Sequence, residues 1–422
     1  MDEYLLQFIW KYQRYRSDHL ITTEGQRLLV FHPGYHNTDS GPDFEEARIK
    51  IGVIEWNGSV EIHIASSDWD RHRHTNDPAY SNVILHVVWQ DDKPLKFENE
   101  TIPTLELKRL VDVKLLTDYQ KHVGEPASIA CASQFTKSLA LPYFSMLDRV
   151  AVERLQQKAD EVLQMLYLAN NSWDDVVYRL LVRSFGFSTN KTAFARLTEK
   201  LPYQVLKKNG ANRSAIEALF FGQAGFLDRE DDGYQVELAK EFKFLKQKYD
   251  LPQSLLRHEW KFGRMRPANF PSLRLAQISN LLFSRPRLFT QVVELGDIME
   301  ILKLLTFPLS DYWMEHYDFG KKRSLPKQSI GAKTIENIAI NSLAPLLAAY
   351  SKYAQDQSFM DKAVSLLQLL SPEKNRVTKQ WAAVNKHPKN AMESQAQIQL
   401  LKEYCLKRRC LSCAVGVTLL CK

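Results

Sequence analysis

The stretch Ser59-Val60-Glu61-Ile62-His63-Ile64 decides how the first third of the chain reads. Its side chains alternate with period two, which predicts a β-strand with one apolar and one polar face. Val60, Ile62 and Ile64 share the first face; Glu61 and His63 share the second. An ionisable pair on a buried sheet face is costly unless a metal ion or a partner satisfies it. Upstream, Gly41-Pro42-Asp43-Phe44 delivers a carboxylate to the start of another expected strand, Ala47–Val53. If those two strands pair, Asp43 and Glu61 converge on one cation. Further strands are expected at Arg27–Phe31, at Val83–Trp89 and over 101–107, with a short amphipathic helix over 1–16. The run Val83-Ile84-Leu85-His86-Val87-Val88-Trp89 is almost wholly apolar, which predicts a strand buried on both faces.

From about Leu141 the apolar period becomes helical. Helices are expected at Met146–Leu168, Trp173–Phe185, Lys191–Leu201, Ser214–Ala224, Val236–Tyr249, Ser272–Phe283, Ile298–Leu305, Thr334–Tyr353 and Phe359–Leu370. The fold class is therefore α+β: a small mixed α/β sheet domain over 1–125, a helical domain over 140–385 and a cysteine-bearing tail over 386–422. No fixed-period repeat marks a solenoid.

The chain has 422 residues with 45% hydrophobic, 25% charged and 11% aromatic side chains, which excludes disordered and collagen-like classes. No apolar run reaches the roughly 18–20 residues that a membrane span needs. The opening Met1-Asp2-Glu3-Tyr4 lacks the pattern of a secretory signal. Five cysteines are too few for a disulfide scaffold in a chain of this length. A reducing, cytoplasmic setting without membrane partners is expected. Residues 1–125 hold 14 Lys and Arg against 21 Asp and Glu; the remainder holds 42 against 28. An acidic first third joined to a basic remainder fits a carboxylate-rich site accompanied by a surface for a polyanion. Two domains with different solvated faces have the same arithmetic.

Seven of the eleven histidines lie between His19 and His86. Carboxylates hold hard cations, and imidazoles supply ligands or acid–base groups near neutral pH. The expected catalytic residues are Asp43, Glu61 and His63, and the expected metal ligands are Asp43, Glu61, His72, His74 and His86. His72 and His74 share a face if the backbone between them is extended. Beside them, Arg71 and Arg73 are expected to contact phosphates. In the helical part, Arg264, Arg266 and Arg274 interleave with Trp260 and Phe262, a mix that suits backbone contacts and base stacking. A plain helix-bundle surface carries similar residues.

On Asp43 and Glu61 the sequence resembles the PD-(D/E)xK nuclease superfamily. The resemblance implies a restriction-endonuclease-like sheet, a Pro-Asp carboxylate and a later acid-x-Lys strand that bind Mg²⁺ or Mn²⁺ and activate water. His63 stands in the lysine place, which removes a fixed positive charge. The strings Asn37–Phe44, Gly58–His63, Ser67-Asp68-Trp69, Val83–Trp89, Phe221–Leu227 and Arg266–Gln277 resemble an uncharacterised bacterial family, domain of unknown function 2851.

The tail carries Cys405, Cys410, Cys413 and Cys421 within seventeen residues, a set that suits Zn²⁺ or an iron–sulfur cluster. Some PD-(D/E)xK nucleases join a C-terminal cysteine trio to one upstream cysteine. That resemblance gives the fourth place to Cys131 and leaves Cys421 spare. The expected function is a metal-dependent phosphodiesterase acting on nucleic acid. The alternatives are a non-catalytic, metal-stabilised module that binds nucleic acid or protein, and a hydrolase for a small substrate.

Overall fold

The computed structural model describes residues 1–37, 40–93, 96–97, 100–124, 127–135, 139–229, 231–324 and 329–421; Thr38 and Asp39 of the Asn37–Phe44 string lie outside them. The chain divides into two units, one of residues 1–146 with 400–422 and one of residues 147–399. The fold is α+β, with a mixed sheet in the first unit and helices through the second.

The first unit opens with α1 (Glu3–Lys11), capped by the Asp2 side chain, which accepts from Leu5 N at 2.7 Å. Its apolar stripe buries Leu5, Leu6, Phe8, Ile9 and Trp10. The strands are β1 (Leu28–His32), β2 (Tyr35–His36), β3 (Phe44–Ile51), β4 (Ile54–Ala65), β5 (Val83–Gln90), a small pair β6 (Lys96–Phe97) and β7 (Glu100–Thr101), and β8 (Thr104–Glu106). The main sheet runs β1-β3-β4-β5-β8, with β2 on β3. Helix α2 (Asp68–Arg71) lies between β4 and β5, and α3 (Val113–Gly124) follows β8.

β3 and β4 pair as an antiparallel hairpin, which meets the condition for Asp43 and Glu61 to approach, and β4 pairs β5 in parallel, with Glu61 beside His86. A bulge between Phe44 and Ala47 places Glu46 in the left-handed region, φ 57°. The bulge leaves Phe44 opposite Val60, and so brings Asp43 alongside Glu61. Gly58 lets the β4 and β5 backbones close up. A Cβ there would meet Ile84 Cγ2 at 2.5 Å and Asn82 O at 2.6 Å, while Ser59 N donates to Asn82 O at 2.9 Å. The sheet's apolar face buries Ile49, Val60, Ile62, Leu85, Val87 and Leu105 completely. Each such side chain contributes about 1.5–3 kcal/mol relative to exposure. Alternation then forces Glu61, His63 and His86 onto the opposite face.

In the second unit the helices gather around Tyr178, Phe194, Phe220, Phe221, Trp313 and Leu347. The sequence reads 334–353 as one helix. The structure instead has a helix Ala332–Ile338, a π-helical turn Ala339–Leu343 and a helix Ala344–Ala354. Pro345 explains the interruption: it has no N–H to offer the carbonyl one turn back, and its ring crowds that carbonyl. Among the described residues no helix is long and apolar enough to cross a membrane.

Candidate metal centre

Four parts of the first unit bring polar side chains together on the polar face of the sheet. Asp43 enters at the head of β3, Glu61 and His63 from the middle of β4, His86 from β5, and His72 and His74 from the turn after α2. The backbone between His72 and His74 is not extended as the sequence suggests. His72 closes α2, Arg73 takes the left-handed conformation (φ 64°, ψ 32°), and His74 opens a 3₁₀ turn. That one residue returns both rings to the same side.

The contacts are short and specific. Glu61 Oε1 stands 3.5 Å from His63 Nε2 and 3.5 Å from His74 Nε2. His63 Nε2 lies 3.1 Å from His72 Nδ1, and His63 Nδ1 lies 2.8 Å from His86 Nε2. The ligating nitrogens of His63, His72 and His74 fall within 4.8 Å of one another. A cation held at 2.0–2.2 Å by four tetrahedral ligands separates them by roughly 3.3–3.6 Å. The edges from Glu61 to His63 and His74 have that length, and the edge from His63 to His72 is slightly shorter. Two imidazole nitrogens in the cluster, His74 Nε2 and His86 Nδ1, are buried without a hydrogen-bond partner. Such orphaned atoms are rare in native interiors, and one of them, His74 Nε2, stands 3.5 Å from Glu61 Oε1.

Asp43 braces the cluster. Its Oδ1 accepts from Gln7 Nε2 at 2.8 Å, its Oδ2 from Ile62 N at 3.0 Å, and its own N–H donates to Glu61 Oε2 at 3.0 Å. Burial pushes both carboxyls well above the usual range; Glu3 adds to the shift of Asp43, and Asp43 then Glu3 to that of Glu61. Burial also raises Glu3, with Asp68 adding to it and His72 and Arg71 opposing. Three acids thus crowd together, and among the described residues the ion-pair partners of Glu61 are His63 and His74. Burial, together with the neighbouring rings, holds His63 and His86 far below the ordinary histidine value. Both are neutral, the state that ligates metals. The floor is aromatic: the Trp69 ring meets His63, His74 and His86 edge-on, and Tyr80 stacks on His74 at 3.8 Å between centroids.

His63, expected to be catalytic, has its Nε2 beside Glu61 Oε1 and His72 Nδ1. His86, expected to ligate, stands behind His63 as its Nδ1 partner. Glu3 and Gln7, four residues apart on an otherwise apolar helix, were missed; that polar pair was the available signal.

The expected phosphate contacts separate. Arg71 is exposed and pairs with Asp68 at 2.6 Å. Arg73, Arg264 and Arg266 are exposed. Arg274 is a correction: only 5% exposed, it donates to Gln277 Oε1, Thr334 Oγ1 and Asn269 Oδ1, and it lies over the Phe187 ring. A guanidinium so enclosed ties helices together and cannot reach a ligand's phosphate. The helical unit also has a cavity of about 890 Å³ whose lining includes Lys158, Arg183, Lys191 and Glu373. Lys158 donates there to Gln395 Oε1 at 3.0 Å and Asn341 Oδ1 at 3.3 Å, and burial lowers its pKa to about 7. Of the tail cysteines, Cys421 lies against the core of the first unit with Arg14 as its charged neighbour.

No curated protein and no solved structure matches the chain. A family model described as "Protein of unknown function (DUF2851)" matches residues 3–376. That match takes in α1, the whole sheet, the histidine–carboxylate cluster and nearly all of the helical unit, and the chain belongs to the DUF2851 family.

Proposed function

We propose that the protein is a metal-dependent phosphodiesterase acting on nucleic acid. The observation that carries this reading is Glu61 Oε1 standing 3.5 Å from both His63 Nε2 and His74 Nε2, next to Asp43. Neutral imidazoles beside crowded acids are a donor set for a divalent cation, and the nitrogen ligands favour Mn²⁺ over Mg²⁺. A bound cation would polarise a phosphoryl oxygen and lower the pKa of a bound water. Glu61, His63, His72 and His74 hold the position. His86 orients His63 through Nδ1. Asp43, fixed by Gln7 and the Ile62 N–H, has a raised proton affinity, which suits a base near neutral pH. Exposed Arg71 and Arg73 flank the histidines in sequence and supply phosphate contacts; the basic charge of residues 126–422 suits a polyanion. A helix followed by a hairpin that delivers Asp43 and then Glu61 is consistent with a restriction-endonuclease-like fold.

One observation favours a second reading. Glu61 with His63, His72 and His74 offers one oxygen and three nitrogens, a set that can close a structural zinc site with no open position. A single experiment separates the two: purified protein with Mn²⁺ or Mg²⁺ is tested on single- and double-stranded DNA and RNA, alongside Asp43→Asn and Glu61→Gln. Cleavage that needs the cation and both acids supports the phosphodiesterase. Tight stoichiometric zinc with no cleavage supports the structural site, and cleavage unchanged in both variants refutes the assignment.

A further inference from the structure

Three helical segments of the second unit line its cavity of about 890 Å³, each with one stripe of side chains. Lys158, Val162 and Met165 come from the helix Ala140–Leu168. Leu180 and Arg183 come from the helix Trp173–Phe185, and Phe187 from the turn after it. Lys333 and Asn337 come from the helix Ala332–Ile338, and Ile340 from the π-helical turn that follows. Their helical spacing keeps each set on one side of its segment. A side that packs on other helices is normally apolar. A cation in each stripe resists close packing, because burying a charge without a partner is costly. The volume falls in the range of small-molecule sites, roughly 300–1,000 Å³.

The charges of the lining do not cancel. Five of its side chains are cationic, Lys158, Arg183, Lys191, Lys333 and Lys374, against three acidic ones. Two of the acids are taken up by donors of the protein. Glu373 accepts from Asn337 and Asn341, both at 3.4 Å, and from Gln395; Glu336 accepts from Ser371 Oγ at 2.9 Å. Lys158 donates to two neutral amides, Asn341 and Gln395. Among the described residues Arg183, Lys333 and Lys374 pair with no carboxylate. An anion in the cavity would supply the missing partner. It would also favour the protonated form of Lys158, whose pKa burial lowers to about 7.

Two irregularities of the backbone meet at the same cavity. Phe187 is left-handed, φ 49°, an uncommon state for a bulky residue, and the Arg274 guanidinium lies 4.5 Å from its ring centre. The π-helical turn Ala339–Leu343 presents Asn341 to Lys158 at 3.3 Å. Strained residues and π-turns gather at functional sites, and here both line one space.

We propose that this cavity binds a phosphate monoester with an apolar or aromatic body, of the size of a mononucleotide. Lys158 and Arg183 take the phosphate, and Val162, Met165, Leu180 and Ile340 line the body. The site stands independently of the phosphodiesterase reading. Full-length protein is titrated calorimetrically in EDTA, which keeps divalent cations from the histidines of the first unit. The probes are the common ribonucleoside 5′-monophosphates, their nucleosides and inorganic phosphate. At least one monophosphate should saturate at one per chain. Its nucleoside and inorganic phosphate should bind more weakly by about tenfold or more. Arg183→Met should weaken the monophosphate by a similar factor. Because that variant can also fail to fold, Lys333→Ala combined with Lys374→Ala is measured too. Both lysines are exposed, and their joint loss should weaken binding by about threefold to tenfold. Glu61→Gln should bind as wild type does. No saturating monophosphate, a nucleoside that binds as tightly, an unchanged affinity in the double variant, or binding lost in Glu61→Gln overturns the proposal.

Discussion

Glu61 and His86 are register partners on adjacent parallel strands, and His63 joins them: its Nδ1 lies 2.8 Å from His86 Nε2 and its Nε2 lies 3.5 Å from Glu61 Oε1. Strand pairing alone puts a carboxylate and two imidazoles on one face. The turn after α2 adds the other two rings. Glu61, His63 and His86 lie on paired central strands, which suits a site that must hold its geometry.

The first prediction concerns stability with and without the cation. Mn²⁺ at a hundred times its dissociation constant should stabilise the wild-type first unit by about 2.7 kcal/mol. Glu61→Gln should abolish that gain. The metal-free variant should be at least as stable as wild type, because it loses one of three crowded acids. Thermal unfolding followed with and without Mn²⁺ measures both. An equal rise in wild type and variant would remove Glu61 from the ligand set.

His86 tests the supporting layer. His86→Ala removes none of the four proposed ligands, Glu61, His63, His72 and His74, but leaves His63 Nδ1 without its partner. Divalent affinity should fall by about 10–100-fold with stoichiometry kept. Calorimetric titration distinguishes this from His74→Ala, which should lower the affinity further. An unchanged constant for His86→Ala would show that His63 is oriented by other means.

Much of this architecture was legible and some was not, for identifiable reasons. Period-two alternation at 59–64 marked β4, because one face is buried and a slip of one residue would expose it. The pairing of β3 with β4 was only the condition under which Asp43 and Glu61 would converge, because alternation marks a strand's faces and not its neighbour. Glu3 and Gln7 left only a weak signal, a polar pair on one face of α1, because what ties them to Asp43, a Gln7 hydrogen bond and the Glu3 charge, is set by a helix distant in sequence. The clustering of His72 with His74 was anticipated, but its cause, a left-handed Arg73, carries no glycine or asparagine signal. Arg274 read as a surface cation because its enclosure by Phe187, Thr334 and Asn269 is tertiary.

Lys158 gives a pH dependence of defined sign. Its folded pKa, about 7, lies below the ordinary lysine value of 10.5. Below pH 7 the amine is protonated in both states, so the burial penalty is fully present. Between 7 and 10.5 the unfolded chain keeps a proton that the folded one has lost, so stability rises with pH, by about 1.4 kcal/mol per unit at most. Lys158→Met should flatten this slope relative to wild type. Denaturant titrations at several pH values across that window provide the test, and parallel slopes would contradict it.

Gly58 tests the backbone closure that sets β4 against β5. Gly58→Ala places a methyl group against Ile84 and the Asn82 carbonyl, and should destabilise the first unit by about 1–3 kcal/mol. Denaturant unfolding would show a reduced midpoint, while an unchanged midpoint would mean the strands separate freely there.

The most direct measurement is anomalous diffraction from a crystal of the protein equilibrated with Mn²⁺. The account predicts one strong peak about 2.0–2.2 Å from Glu61 Oε1, His63 Nε2, His72 Nδ1 and His74 Nε2. No peak there, with His63 still hydrogen-bonded to His72, would contradict it.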